Sequence, residues 1–264
     1  MQKVVNVVLR RPPPLLVGVK WRFVGDSQTG GRDTGIWKSH VEAICTIWAR
    51  KYPTTAPLNP YAGLDTNPYR NGASGRSLGG TRDHYLDASA RLDAEWVHVQ
   101  ESGGQNTGDA SQVTVEAFVA TYLAFWRAVH AITPNARKTY ETAFSFGRES
   151  ALDPDFPFRD WGTRNAALVA ANALLYQEGI EVILVHTDFF IKAVQSELGA
   201  AALWFQSGEE NEFHYRGLGN LVVACATFKA LGHTLTQLDL VDFTGATYAQ
   251  KQVILDKLTL TPEL

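Results

Sequence analysis

The sequence is short of cysteine, of long apolar runs and of any charge imbalance, and each shortage removes a class of function. Only two cysteines, Cys45 and Cys225, occur in 264 residues. Both fall within apolar helical patterns, so buried free thiols are expected rather than a disulfide framework. No run approaches the ~20 apolar residues that a bilayer span needs, so no membrane-spanning helix is expected. Met1 to Gly18 makes a poor secretory signal, because its apolar part (Val4 to Leu9) is short and Arg10, Arg11 and Pro12 to Pro14 interrupt it. Secreted and cytoplasmic locations both stay open. With 24 basic and 27 acidic residues the formal net charge is −3, which gives no charge-driven reason to expect a nucleic acid or an anionic membrane as partner. There is no G-x-x-x-x-G-K-[ST] phosphate loop, no H-E-x-x-H and no zinc-type Cys/His spacing. Neither a cofactor nor a metal site is therefore expected.

What is present is a globular chain, 45% hydrophobic, in which strand and helix patterns alternate. Val17 to Val24 reads as a strand ending at Gly25-Asp26-Ser27. A helical stripe follows through Trp37, Val41, Ile44, Cys45 and Trp48. The stretch from Pro53 to Gly80 is rich in Pro, Gly, Asn and Tyr and reads as loop, with a short strand near Tyr69 to Ala73. Asp83 to Leu92 is expected to be helical, and Trp96 to Gln100 a buried strand. Thr114 can cap a helix that has Glu116 in its first turn and Val115, Phe118, Val119, Tyr122, Trp126 and Val129 on one face. Thr139 to Phe146 reads as a strand, Asp160 to Gln177 as a helix, and Glu181 to Val185 as a strand. A last strong helix places Leu218, Leu221, Val222, Cys225 and Phe228 on one face.

This alternation predicts a single α/β domain over residues 1–264, with a mostly parallel sheet covered on both faces. The same reading marks 1–16 as an N-terminal extension and 53–80 as a long loop. Residues 234–264 form a C-terminal segment open to two roles, a helix closing the sheet or a dimer contact.

Ligands of such sheets bind outside the carboxyl ends of the strands. The segments that follow the strands are small and polar: Gly25 to Gly30, Asn71 to Gly75 and Ser102 to Asn106. A fourth, Asn211 to His214, lies between the Glu181 to Val185 strand and the last helix. A serine just past a strand in a turn opened by Gly can expose its hydroxyl while leaving its own N–H free. That hydroxyl needs a base, usually His near neutral pH, and His214 is the best candidate. Acyl transfer also needs donors aimed at the developing oxyanion. The Ser27 N–H, the Gly75 N–H and the Asn106 side-chain amide are three candidates.

Gly25-Asp26-Ser27-Gln28-Thr29-Gly30 resembles the first block of the SGNH (GDSL-type) hydrolase family. Asn71-Gly72-Ala73-Ser74-Gly75 is similar to the second block and Gly104-Gln105-Asn106 to the third. His214 before Leu218-Gly219-Asn220 resembles the last. One block alone recurs by chance; four in family order, over about three quarters of the chain, form a specific pattern. The resemblance implies a three-layer α/β/α flavodoxin-like sandwich and a serine-dependent ester hydrolase without metal. It assigns the nucleophile and one oxyanion donor to Ser27, further donors to Gly75 and Asn106, and the base to His214.

The sequence departs from the family three residues before the histidine, where Asn211 replaces the usual orienting Asp. Three readings stay open. Asn211 accepts through its carbonyl oxygen; Glu209, Glu210, Glu212 or more distantly Asp188 supplies the carboxylate; or the site is crippled. The expected substrate is a small-acyl ester, first of all an O-acetylated carbohydrate. The alternatives are a lipid or thioester hydrolase of the same fold and a non-catalytic glycan-binding module. Tyr61 and Tyr69 could shape a cleft, whereas Trp37, Trp48, Trp126 and His98 read as core. His186, near Asp188, is the one other histidine kept in view.

Overall fold

The structure is a computed structural model, and it describes residues 21–25, 39–53, 70–72, 94–100, 114–142, 161–204 and 215–262, with 70–72 and 161–164 as backbone only. Five strands form one sheet: β1 (Trp21–Gly25), β2 (Arg70–Gly72), β3 (Trp96–Gln100), β4 (Arg137–Glu141) and β5 (Ile183–Val185). Every pairing is parallel, and the order is β2-β1-β3-β4-β5. The chain thus turns one way from β1 to β2 and the other way to β3, so the topological switch point lies between β1 and β3.

Alternate residues of these strands feed two separate cores, because successive side chains point to opposite faces. On one face Trp21, Phe23 and Trp96 pack with α1 (His40–Lys51) and α6 (Gly217–Ala230). On the other, Val24, Val97, Val99 and Tyr140 pack with α2 (Val115–Ile132) and α3 (Trp161–Gln177). The result is three layers, helix on sheet on helix. All five residues of β1 and all five of β3 are buried, as expected for strands covered on both faces.

Local chemistry sets the helix ends. Ser39 caps α1 with its side chain toward the Glu42 N–H, and the helix stops at Tyr52 and Pro53. Thr114 Oγ1 accepts from the Ala117 N–H at 3.1 Å and starts α2, as the sequence predicts. Gly232, with φ +81°, turns the chain out of α6, a conformation that side chains disfavour.

Four expectations are corrected. β4 begins at Arg137, ahead of Thr139, because Arg137 pairs with Trp96, and it ends at Glu141. β5 begins at Ile183 rather than Glu181, since its pairing with β4 starts at Thr139 opposite Ile183. The sequence reading had no helix directly after β5, yet α4 (Thr187–Leu198) and the short α5 (Ala200–Leu203) stand there. Finally, α6 is not one-sided: every residue from Gly219 to Phe228 is buried, enclosed by α1, α4 and β5.

Both cysteines are free and buried, and burial raises the Cys225 thiol pKa far above its usual range. Trp48 and Trp126 are core residues, 1% and 0% exposed. In the C-terminal segment, a 3₁₀ turn (Gln237–Leu240) and α7 (Tyr248–Lys257) each open on a capping box, Thr236 with Asp239 and Thr247 with Gln250. α7 packs on α4 and α6. The expected strand part at 17–20, helix at 83–92 and position Trp37 lie outside the described residues.

Candidate active site

The register aligns the strand ends that matter. Gly25, the last residue of β1, pairs with Gly72 at the end of β2 and with Gln100 at the end of β3. Three adjacent strands therefore stop at one height, at the switch point where open α/β sheets bind ligands. Ser27 follows Gly25 by two positions, Gly75 follows Gly72 by three and Asn106 follows Gln100 by six. Ser27, Gly75, Asn106, Asn211 and His214 themselves lie outside the described residues, as do Glu209, Glu210, Glu212, Tyr61 and Tyr69.

The segment carrying Asn211 and His214 is described at its two ends. Trp204 and Tyr215 form an isolated antiparallel bridge, and the Arg216 N–H donates to the Leu203 carbonyl at 2.7 Å. Trp204 also donates its indole N–H to Gln195 Oε1 at 2.8 Å. Gly219 makes the clamp possible. A Cβ there would collide with the Leu203 carbonyl and sit 3.0 Å from Tyr215 Cβ. The glycine of the Leu218-Gly219-Asn220 motif is thus a close-approach residue at the base of the segment that carries the candidate base.

Asp188 has a position of its own. At the start of α4 its carboxylate accepts from the Thr142 hydroxyl and, at 3.0 Å, from Asn165 Nδ2. Thr142 Oγ1 in turn accepts weakly from the Asp188 N–H at 3.4 Å and lies 3.1 Å from the Val185 carbonyl oxygen. Both carboxylate oxygens hold a partner within this joint between β4, α3 and α4. His186 beside it is half-buried, and desolvation lowers its pKa against the opposing pull of Asp188.

A second polar cluster was not singled out in the sequence. His98 is hydrogen-bonded core, as expected: Nδ1 lies 2.7 Å from Thr139 Oγ1 and Nε2 2.7 Å from Glu141 Oε1. Thr139 also receives the Trp96 indole N–H at 2.8 Å. His40, the first residue of α1, brings Nε2 to 3.5 Å from the same Glu141 oxygen. All three titratable residues are buried. They come from three separate elements, so no sequence spacing announces them.

No protein-family model and no curated protein matches the chain. Solved structures do. The chain superposes on Axe2, an acetylxylan esterase from Geobacillus stearothermophilus, with TM-score 0.58 and 17% identity over 83% of this chain and 96% of that one. A GDSL-like lipase from Parabacteroides merdae matches with TM-score 0.59 at 16% identity, over 83% of this chain and 99% of the other. LAE5, an alpha/beta hydrolase enzyme from the metagenome of Lake Arreo, matches with TM-score 0.56 at 15% identity, over 82% and 96%. At such identities the likeness establishes the fold, an α/β/α sandwich of the kind these hydrolases share.

Proposed function

We propose that the chain is a serine-dependent ester hydrolase acting on small-acyl esters, with an O-acetylated carbohydrate as its first substrate. The observation that carries this reading is the common height of Gly25, Gly72 and Gln100 at the switch point. The chain leaves these three adjacent strand ends toward Ser27, Gly75 and Asn106. The fold shared with an acetylxylan esterase supports it independently. On this reading residues 1–264 act as one SGNH-type domain.

In the proposed reaction His214 takes the Ser27 hydroxyl proton as Oγ attacks the ester carbonyl carbon. The Ser27 and Gly75 N–H groups and the Asn106 amide hold the developing oxyanion. Collapse breaks the bond to the alcohol, which leaves with the proton from His214. Water, deprotonated by the same imidazole, then cleaves the acyl-enzyme and frees Ser27. Asn211 orients His214 through its carbonyl oxygen, or a glutamate of the Glu209–Glu212 run does so.

The test is intact mass after incubation with a fluorophosphonate, on wild type and Ser27→Ala. A single adduct absent from the variant is expected. Failure to label, where a control esterase labels, overturns the proposal. It would favour the second reading, a glycan-binding module without turnover, which Asn211 in place of the orienting carboxylate motivates. Turnover of long-chain acyl esters with none of acetylated sugars would move the substrate class to lipids.

A further inference from the structure

Three side chains from α1, β3 and β4 converge inside the layer between sheet and helices. One ligating atom each of His40, His98 and Glu141 lies within 4.8 Å of the others. We propose that this cluster binds a first-row divalent metal ion of the zinc class.

The donor set favours such an ion. A buried carboxylate needs a positive or hydrogen-bonding partner, and Glu141, 2% exposed, faces two imidazoles. Two imidazoles and one carboxylate suit Zn²⁺ or Fe²⁺ and disfavour Mg²⁺ and Ca²⁺, which prefer oxygen. The aromatic rings of Phe23 and Trp96, 5.6 and 5.5 Å from the His98 ring, screen the cluster from water.

The surroundings of His98 are those of an imidazole ligand. Its Nδ1 is fixed by Thr139, which is fixed in turn by Trp96. A metal-bound imidazole almost always donates its far N–H to a neighbouring acceptor, and the Thr139 hydroxyl oxygen can take that place. The Thr139 hydroxyl serves both tautomers, because it already accepts from Trp96 and can turn its own proton. With O–H toward Nδ1, His98 carries its proton on Nε2 and donates it to Glu141. With O–H turned away, Nδ1–H donates to Thr139 and the Nε2 lone pair faces the cluster. The first form is bridged by a proton and the second is the ligand form. Metal binding exchanges one for the other: the proton lost from Nε2 is balanced by one gained at Nδ1.

One of the ligand–ligand distances already fits and a second must open. Zinc bonds of roughly 2.0–2.2 Å place tetrahedral neighbours roughly 3.3–3.6 Å apart. His40 Nε2 and Glu141 Oε1 already stand at 3.5 Å. His98 Nε2 and Glu141 Oε1, at 2.7 Å, must open slightly, a motion that the three torsions of the Glu141 side chain allow. A tetrahedral ion would then keep one position for water or another group.

The proposal is independent of ester hydrolysis, and its test does not use activity. Untagged protein, stripped with a chelator, is titrated with Zn²⁺ and with Co²⁺. One equivalent of zinc should survive gel filtration and raise Tm, and X-ray absorption at the zinc edge should show two imidazoles in an N/O shell. His40→Gln and Glu141→Gln should each weaken binding at least about tenfold, and Thr139→Val by about 10- to 100-fold. Because a core substitution can unfold the chain, the wild-type absorption spectrum decides if the variants fail. No retained zinc overturns the proposal, as does a shell without two imidazoles. Equal affinity in folded His40→Gln and Glu141→Gln does the same, leaving the cluster as a proton-bridged network.

Discussion

Trp204 and Tyr215 pair backbone to backbone with their rings 4.7 Å apart, so the two residues that flank positions 205–214 stand side by side. Tyr215 is the immediate neighbour of His214, which makes this clamp the nearest described anchor of the candidate base. Tyr215→Ala should therefore lower kcat on an acetyl ester by about 10- to 100-fold, the scale on which small misplacements of catalytic groups act. KM should change much less. Tyr215→Phe keeps the ring and should stay within about threefold of wild type. Steady-state kinetics on folded variants checks both, and equal kcat for all three proteins would detach the clamp from catalysis.

The orienting group of His214 can be separated from Asp188. An Asn in place of the orienting Asp costs about 10⁴-fold in a serine protease, through the wrong imidazole tautomer. Asn211→Asp should raise turnover if Asn211 is a weak substitute and change it little if a glutamate already serves. Asp188, held by Thr142 and Asn165, should behave as a structural residue. Asp188→Asn should leave kcat within about threefold while costing about 1.5–3 kcal/mol in urea unfolding, the scale of a hydrogen bond to a charged group. A loss of turnover by several orders of magnitude in that variant would make Asp188 the orienting acid instead.

Stability should fall at acid pH through His233. Burial pushes its pKa down to about 4, with Lys51 and Arg137 adding repulsion. Its Nδ1 sits 2.8 Å from the Tyr52 hydroxyl, so the neutral ring accepts that proton. A histidine depressed in the folded state binds protons more readily when unfolded. Its contribution is complete above the unfolded pKa of about 6.5 and is lost as pH falls toward 4. The Tm advantage of wild type over His233→Phe should shrink steadily across that window. A gap that stays constant with pH would exclude the effect.

Gly219→Ala should destabilise the chain by about 1–3 kcal/mol, the range for overpacking, since the new methyl meets backbone rather than a yielding side chain. Urea denaturation measures it. Wild-type stability would mean that α5 and α6 separate without cost.

Much of this was legible because it is local. Trp96 to Gln100 is a strand by its own alternating bulk, and the structure gives the same five residues. Thr114 announces α2 because a hydroxyl beside free N–H groups acts within one turn. The four motif blocks place a candidate chemistry in chain order, and the parallel pairing of the sheet follows from alternating strands and helices, whereas the order β2-β1-β3-β4-β5 does not. Packing decided the rest. α4 opens at His186 without a side-chain cap, and it stands because Phe190, Ile191 and Val194 are buried against the neighbouring elements. The ends of β4 and β5 were set by hydrogen bonds to neighbouring strands, which no side-chain pattern encodes. His40, His98 and the Thr139–Glu141 pair sit far apart in sequence, and their chemistry exists only where sheet register and the start of α1 bring them together. The sequence alone determined which groups were available and the local shapes they favour. Only the tertiary structure decided which groups meet, because burial and cross-strand hydrogen bonding are properties of the assembled layers and not of any segment.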